Sequence, residues 1–206
     1  MKLRNHKYTP EDVDCRYCTK FIHGRCRAAI CPWIKERIEA GVIGYREAVN
    51  ESFAEQTPLR DRVKLVMACY DNSFWRDDAH KRRFQIAQAI FGYYRSRNTP
   101  AYYAALYLLT SDEELFLRLA DCFTRTRIDF RYTCLQGISP ELYALYKTAK
   151  CLYTQSAEVG VDELADPELF RLSDFRLAVN AMLIVRYGLS AVYLRHGEMD
   201  YGCLQS

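Results

Sequence analysis

Apolar side chains recur along most of this chain at spacings of three and four, the period of one face of an α-helix. Leu59, Val63 and Val66 mark such a face over residues 59–70, and Phe74, Phe84, Ala87, Ile90 and Phe91 mark another over 74–97. Start and stop signals bracket these runs. Pro32 opens a helix reaching Ala40, and Gly41 suits its C-terminal end. A second helix over 45–55 ends before Pro58, and Asn72 or Ser73 can cap the helix over 74–97. Pro100 begins a helix over 101–109, and Ser111 with Glu114 makes a capping box for the next, to about Arg125. Ser139-Pro140-Glu141 is a cap with proline at the first helical position, starting a helix to Tyr153. Short helices near 162–164 and from Pro167 lead to Ser173, which caps a last long helix to about Arg195.

Composition agrees with this pattern. The 206 residues include 16 Tyr and 10 Phe but only 9 Gly and 6 Pro, so tight turns are too few for an all-β protein. Residues 128–135 alternate weakly but are too short to found a sheet, and no Asn-Gly or Asp-Gly joins two β-branched runs. With 50% hydrophobic and 27% charged residues, a wholly disordered chain is excluded. The expected fold is all-α: a multi-helix domain over 58–206, a connecting helix over 38–57, and a small Cys-rich head over 1–37. Residues 1–10 lack the apolar segment of a signal peptide, and the longest apolar run in the last helix, 181–185, is far too short for a bilayer. The cytoplasm is the expected location, with no membrane partner.

Nine cysteines in a reducing compartment argue for metal or core packing rather than a disulfide framework. Four cluster as Cys15-x2-Cys18, Cys26 and Cys31, while Cys69, Cys122, Cys134, Cys151 and Cys203 are scattered. Zinc takes four soft ligands at tetrahedral corners, and a Cys-x2-Cys pair supplies two from one turn. Cys26 and Cys31 are more widely spaced than in a doubled Cys-x2-Cys ribbon. Cys31 precedes the helix that Pro32 opens, where the helix dipole favours a thiolate. A four-Cys site with no open position is structural, so the expected cofactor is structural zinc. The alternatives are an iron–sulfur cluster, His23 replacing Cys26, and four thiols without metal. A head of this size has little apolar material, so metal would supply much of its folding energy.

Charge is segregated. Net charge is +3, but residues 1–37 and 60–99 each carry 9 basic and 4 acidic side chains, whereas 100–206 carry 10 and 14. Arg outnumbers Lys 21 to 8, which favours bidentate contacts to phosphate or carboxylate as much as solvated helix faces. Arg16, Lys20, Arg25 and Arg27 surround the cysteines, interleaved with Tyr17, Phe21 and Trp33. That decoration suits phosphate contact with base stacking, and equally a rigid protein-docking tip. Arg76, Lys81, Arg82, Arg83, Arg95 and Arg97 form the best candidate stripe for a polyanion or acidic partner, although they do not share one helix face.

Catalytic signatures are absent from the sequence: no phosphate-binding glycine loop, nucleophile elbow or His-Glu-x-x-His. Asp77 and His80 lie three apart on a helix, but nothing nearby completes a site, so a solvated helix face is expected there. Tyr93-Tyr94, Tyr102-Tyr103, Tyr143 and Tyr146 read as helix packing with wet hydroxyls, and Asp129, Asp162, Asp166 and Asp174 as caps and turn residues. The expectation is a protein with no enzymatic activity and no small-molecule substrate.

Phe74-Trp75 through His80 to Phe84, Tyr102-Tyr103-Ala104-Ala105-Leu106-Tyr107-Leu108-Leu109-Thr110-Ser111-Asp112-Glu113-Glu114, Gly137-Ile138-Ser139-Pro140-Glu141-Leu142-Tyr143 and residues 178–188 carry a resemblance. Together they resemble an all-helical family encoded on bacterial mobile elements, conjugative elements and prophages, over roughly residues 70–190. Residues 5–48 resemble Cys-rich leaders on other small proteins of such elements. The resemblance brings no catalytic residues. It implies a protein that binds and blocks host defences, as anti-CRISPR proteins do, with a nucleic-acid-targeting nuclease effector as partner. The alternative is a zinc-containing DNA- or RNA-binding accessory or regulatory protein.

Overall fold

The most apolar stretch of the sequence becomes the centre of the molecule. The structure is a computed structural model and describes residues 13–23, 25–27, 33–91 and 96–195; the side chains of Arg16, Arg25, Cys26 and Phe91 lie outside that description. Helix α5 (Pro100–Leu109) buries Tyr102 and every residue from 104 to 109. A helix apolar on all sides must be enclosed on all sides. Helix α7 (Pro140–Thr154) and helix α9 (Leu172–Tyr187) enclose it. Ala178 and Ala181 of α9 are fully buried, and such small side chains let helix axes approach closely.

The remaining helices wrap this centre. Helix α1 (Ile34–Glu39) packs against a 3-10 turn at Leu189–Tyr193. Helices α2 (Tyr45–Phe53) and α3 (Arg60–Ala68) lie against α9. Helices α4 (Asp78–Phe91), α6 (Glu113–Arg118) and α8 (Val161–Ala165) complete the set among the described residues. Ile34, Ile38, Ile43 and Tyr45 belong to the same apolar cluster as Leu106 and Leu183, so the connecting helix and the main helical region share one core. No helix among the described residues is long and apolar enough to cross a membrane.

Cap chemistry decided the legible boundaries. Thr99 Oγ1 accepts from the Tyr102 N–H at 3.2 Å, and Ser139 Oγ from the Leu142 N–H at 3.3 Å, each just before a proline at the first helical position. Gly41, at φ +75°, donates its N–H to the Ile38 carbonyl and closes α1.

Other boundaries differ from the sequence expectation. Helix α4 begins at Asp78 rather than residue 74, because Phe74 turns into the core and Asp77 Oδ1 caps the His80 N–H at 2.6 Å. Ser111 is buried and donates to the Leu108 carbonyl, so Asp112 takes the cap of α6, whose last residue is Arg118 rather than one near Arg125. Ser173 lies within the first turn of α9 without capping it, and Gly188, at φ +75°, ends that helix well before Arg195. Residues from Pro167 form a turn instead of a helix. Residues 128–135 supply an isolated bridge, Phe123 to Ile128, and a 3-10 turn at Phe130–Tyr132.

Candidate functional site

The head folds as a turn and a hairpin. Residues Cys15–Tyr17 form a 3-10 turn, in which the Cys18 N–H donates to the Cys15 carbonyl at 3.0 Å. The Phe21 N–H donates to the Cys18 carbonyl at 3.0 Å, leading into strand β1 (Phe21–Ile22), which pairs antiparallel with β2 (Arg25–Cys26). The register sets Cys26 opposite Phe21, so the backbone returns the third cysteine to the level of the Cys15–Cys18 turn. Cys15 and Cys18 are half-buried. The Cys26 side chain and all of Cys31 lie outside the described residues, and so do the Arg16 and Arg25 side chains. Among the described residues, no group of three metal-binding side chains comes together. Lys20 and Arg27 are exposed. Tyr17 (78% exposed), Ile22 (37%) and Trp33 (50%) are exposed apolar side chains of this region.

The candidate basic stripe divides. Lys81 and Arg82 are exposed on α4. Arg95 lies outside the described residues. Arg76, Arg83 and Arg97 turn inward, which corrects the expectation that they serve a polyanion-binding stripe. Arg76 pairs with Asp174, with Asp112 at 3.9 Å. Arg83 donates to the Thr110 carbonyl at 2.8 Å and the Ser111 carbonyl at 3.1 Å, satisfying groups that the end of α5 leaves open. Arg97 is 3% exposed, lies 4.7 Å over the Tyr102 ring and donates to the Thr124 carbonyl. Asp174 is therefore an ion-pair partner rather than a cap; burial raises its carboxyl pKa even with Arg76 beside it.

His80 is fully buried, not on a solvated face. Its Nδ1 accepts the Arg76 N–H at 3.1 Å, and its Nε2 bonds the Tyr107 carbonyl at 2.8 Å. One acceptor and one donor define a neutral imidazole. Burial lowers its pKa to about 3, against the smaller opposing effect of the Tyr107 bond. Trp75 and Tyr107 pack against the ring, and Phe84 packs against Trp75. The signal for this was present in the sequence: His80, Phe84 and Ala87 are spaced four and three apart, on one helix face.

A second buried polar group escaped sequence reading. Asn180 on α9 donates to the Phe74 carbonyl at 2.9 Å and the Tyr107 hydroxyl at 3.2 Å, and accepts from the Tyr45 hydroxyl at 2.6 Å. Tyr45 stacks on Tyr70, with centroids 3.6 Å apart, and Tyr70 donates to the Leu194 carbonyl at 2.6 Å. The Tyr45 N–H bonds the Arg195 carbonyl at 2.6 Å. These bonds tie the chain after Gly188 to α2 and the core.

Residues Arg127, Ile128, Asp129, Phe130, Arg131 and Lys150 line an open cleft of about 440 Å³. Asp129 is buried and accepts from Arg127 at 2.9 Å and from Arg131 at 2.8 and 2.6 Å. The paired Arg131 bonds hold its carboxyl far below the usual range. The summed acidity of residues 100–206 concealed these cations, although Arg125, Arg127 and Arg131 stand close together in the sequence.

Compared with protein-family models, with curated proteins and with solved structures, the chain matches none significantly.

Proposed function

We propose that the chain is a non-enzymatic binding protein whose N-terminal head is clipped by one structural zinc on Cys15, Cys18, Cys26 and Cys31 and serves as its docking tip. Two outward aromatic side chains carry this reading. Tyr17, in the Cys15–Tyr17 turn, and Trp33, just before α1, both stand exposed. Exposed aromatic anchors of this kind dominate protein–protein contacts. The partner follows from the resemblance to helical proteins of bacterial mobile elements: a host nuclease effector of nucleic-acid-targeting defence, inhibited as anti-CRISPR proteins inhibit theirs. Lys20 and Arg27 beside Tyr17 favour a second reading, a zinc-containing nucleic-acid-binding accessory protein. The inward arginines of the α4 region weaken that reading, since Arg76, Arg83 and Arg97 are engaged inside the fold.

The test uses the zinc-loaded full chain with purified CRISPR effector nucleases of the host. The chain is expected to slow target cleavage at stoichiometric concentration and to co-elute with the effector, and Tyr17→Ala with Trp33→Ala to abolish both. Unchanged cleavage with no complex at saturating chain would overturn the inhibitor reading.

A further inference from the structure

We propose that the Arg127–Arg131–Lys150 cleft binds the backbone phosphate of a single-stranded nucleic acid, with Tyr132 as the stacking platform for the adjacent base. This goes beyond the docking role of the head and uses none of its residues.

The cleft is pre-organised. A tight turn at 124–127, in which Thr124 Oγ1 accepts from the Arg127 N–H at 3.1 Å, is closed at its base by the Phe123–Ile128 bridge. Asp129, 7% exposed, accepts from Nη2 of Arg127 and from Nε and Nη2 of Arg131 and so holds both guanidiniums at the cleft. Nη1 of Arg127 and Nη1 of Arg131 make no hydrogen bond among the described residues, and the two side chains are 58% and 72% exposed. Guanidiniums held in this way present donors to a phosphate at little further cost in ordering.

Lys150 adds a third cation from α7. Its contact to Glu158, 3.3 Å long and partly exposed, is the kind of surface pair an incoming anion displaces readily. The walls thus carry three cations against one buried carboxylate, a local reversal in the acidic half of the chain.

The apolar parts fit a nucleotide better than a simple anion. Ile128 and Phe130 form the floor, and Phe130 is braced by Tyr146 and Tyr153, each with ring centroids 5.8 Å away. Tyr132 is 59% exposed, with the Arg131 guanidinium 5.9 Å from its ring. A volume near 440 Å³ falls in the range of small-ligand sites, and its openness to solvent lets a strand enter and leave. Cation, phosphate grip and exposed ring side by side are the recurring parts of single-strand recognition.

Fluorescence anisotropy of the full chain with a labelled single-stranded oligonucleotide of about 10 nucleotides tests this. Binding is expected at about 50 mM salt, weakening with a log–log slope near −2, as three phosphate contacts to a single strand predict. Lys150→Gln and Tyr132→Ala leave the Asp129 bonds intact and should each weaken binding about tenfold. Arg127→Gln with Arg131→Gln should weaken it further, whereas Arg60→Gln with Lys64→Gln, exposed on α3, should leave it unchanged. Thermal unfolding of each variant confirms that it folds. No binding at low salt, binding indifferent to Lys150 and Tyr132, a mononucleotide binding as tightly as the strand, or a phosphoserine peptide binding in its place would each overturn the proposal.

Discussion

Asn180 accepts the phenolic hydrogen of Tyr45 at 2.6 Å, across 135 residues of sequence, and both side chains are fully buried. The same amide bonds the Phe74 carbonyl and the Tyr107 hydroxyl, so one side chain satisfies groups on α2, α5 and the approach to α4. Removing it leaves the buried Tyr45 hydroxyl without its acceptor, while the Phe74 carbonyl and the Tyr107 hydroxyl keep their bond to each other; a stranded group costs more than a bond contributes. Asn180→Leu should lower stability by about 3 kcal/mol, and Tyr45→Phe by about 1 kcal/mol. Chemical denaturation measures both. The double variant should fall short of their sum, because the two side chains share one bond.

Acid should destabilise the protein through His80. The folded side chain stays neutral down to about pH 3, while an unfolded histidine protonates near its ordinary value of 6.5. Between those values the unfolded chain binds more protons, so stability rises with pH and is complete above about 6.5. The slope should approach on the order of 1.4 kcal/mol per pH unit in the middle of that window. His80→Gln keeps a donor for the Tyr107 carbonyl and has no titration there. Denaturation midpoints of the two proteins across the window should converge toward acid, with the variant nearly flat down to about pH 5, below which the paired carboxylates such as Asp129 add a slope common to both proteins.

Arg76 and Asp174 form a largely buried pair that joins the approach of α4 to the first turn of α9. Breaking such a pair from one side leaves a charge without its counterpart. Asp174→Asn and Arg76→Met should each cost about 3 kcal/mol, and the double variant should be less unstable than the two losses combined. A double-mutant cycle in urea reads the coupling directly.

How much of this was legible in the sequence depended on how local each cause was. Helices α5 and α7 were readable because Thr99-Pro100 and Ser139-Pro140 carry their cap chemistry within a few residues. The start of α6 was misplaced by one residue because Ser111 and Asp112 are both competent caps. Burial of Ser111 against the Leu108 carbonyl decided between them. The inward turn of Arg76 depends on Asp174, 98 residues away, and no periodicity reports such a partner. His80 was hidden by its charged neighbours, although its spacing to Phe84 placed it on the buried face. The net acidity of residues 100–206 hides the local cations at Arg127 and Arg131. In the head, the Cys-x2-Cys turn was readable from spacing, and the hairpin that brings Cys26 back was not, since its strands are two residues each.

The docking role proposed for the head requires that metal fold it, because its sequence holds little apolar material and Tyr17 and Trp33 are exposed. Elemental analysis of the full chain, purified without added metal, is the direct measurement. The prediction is close to one zinc per chain, lost in Cys15→Ser and in Cys31→Ser together with protection of the head against protease. A fully folded preparation carrying no metal, with the cysteines of the head titrating as free thiols, would contradict it.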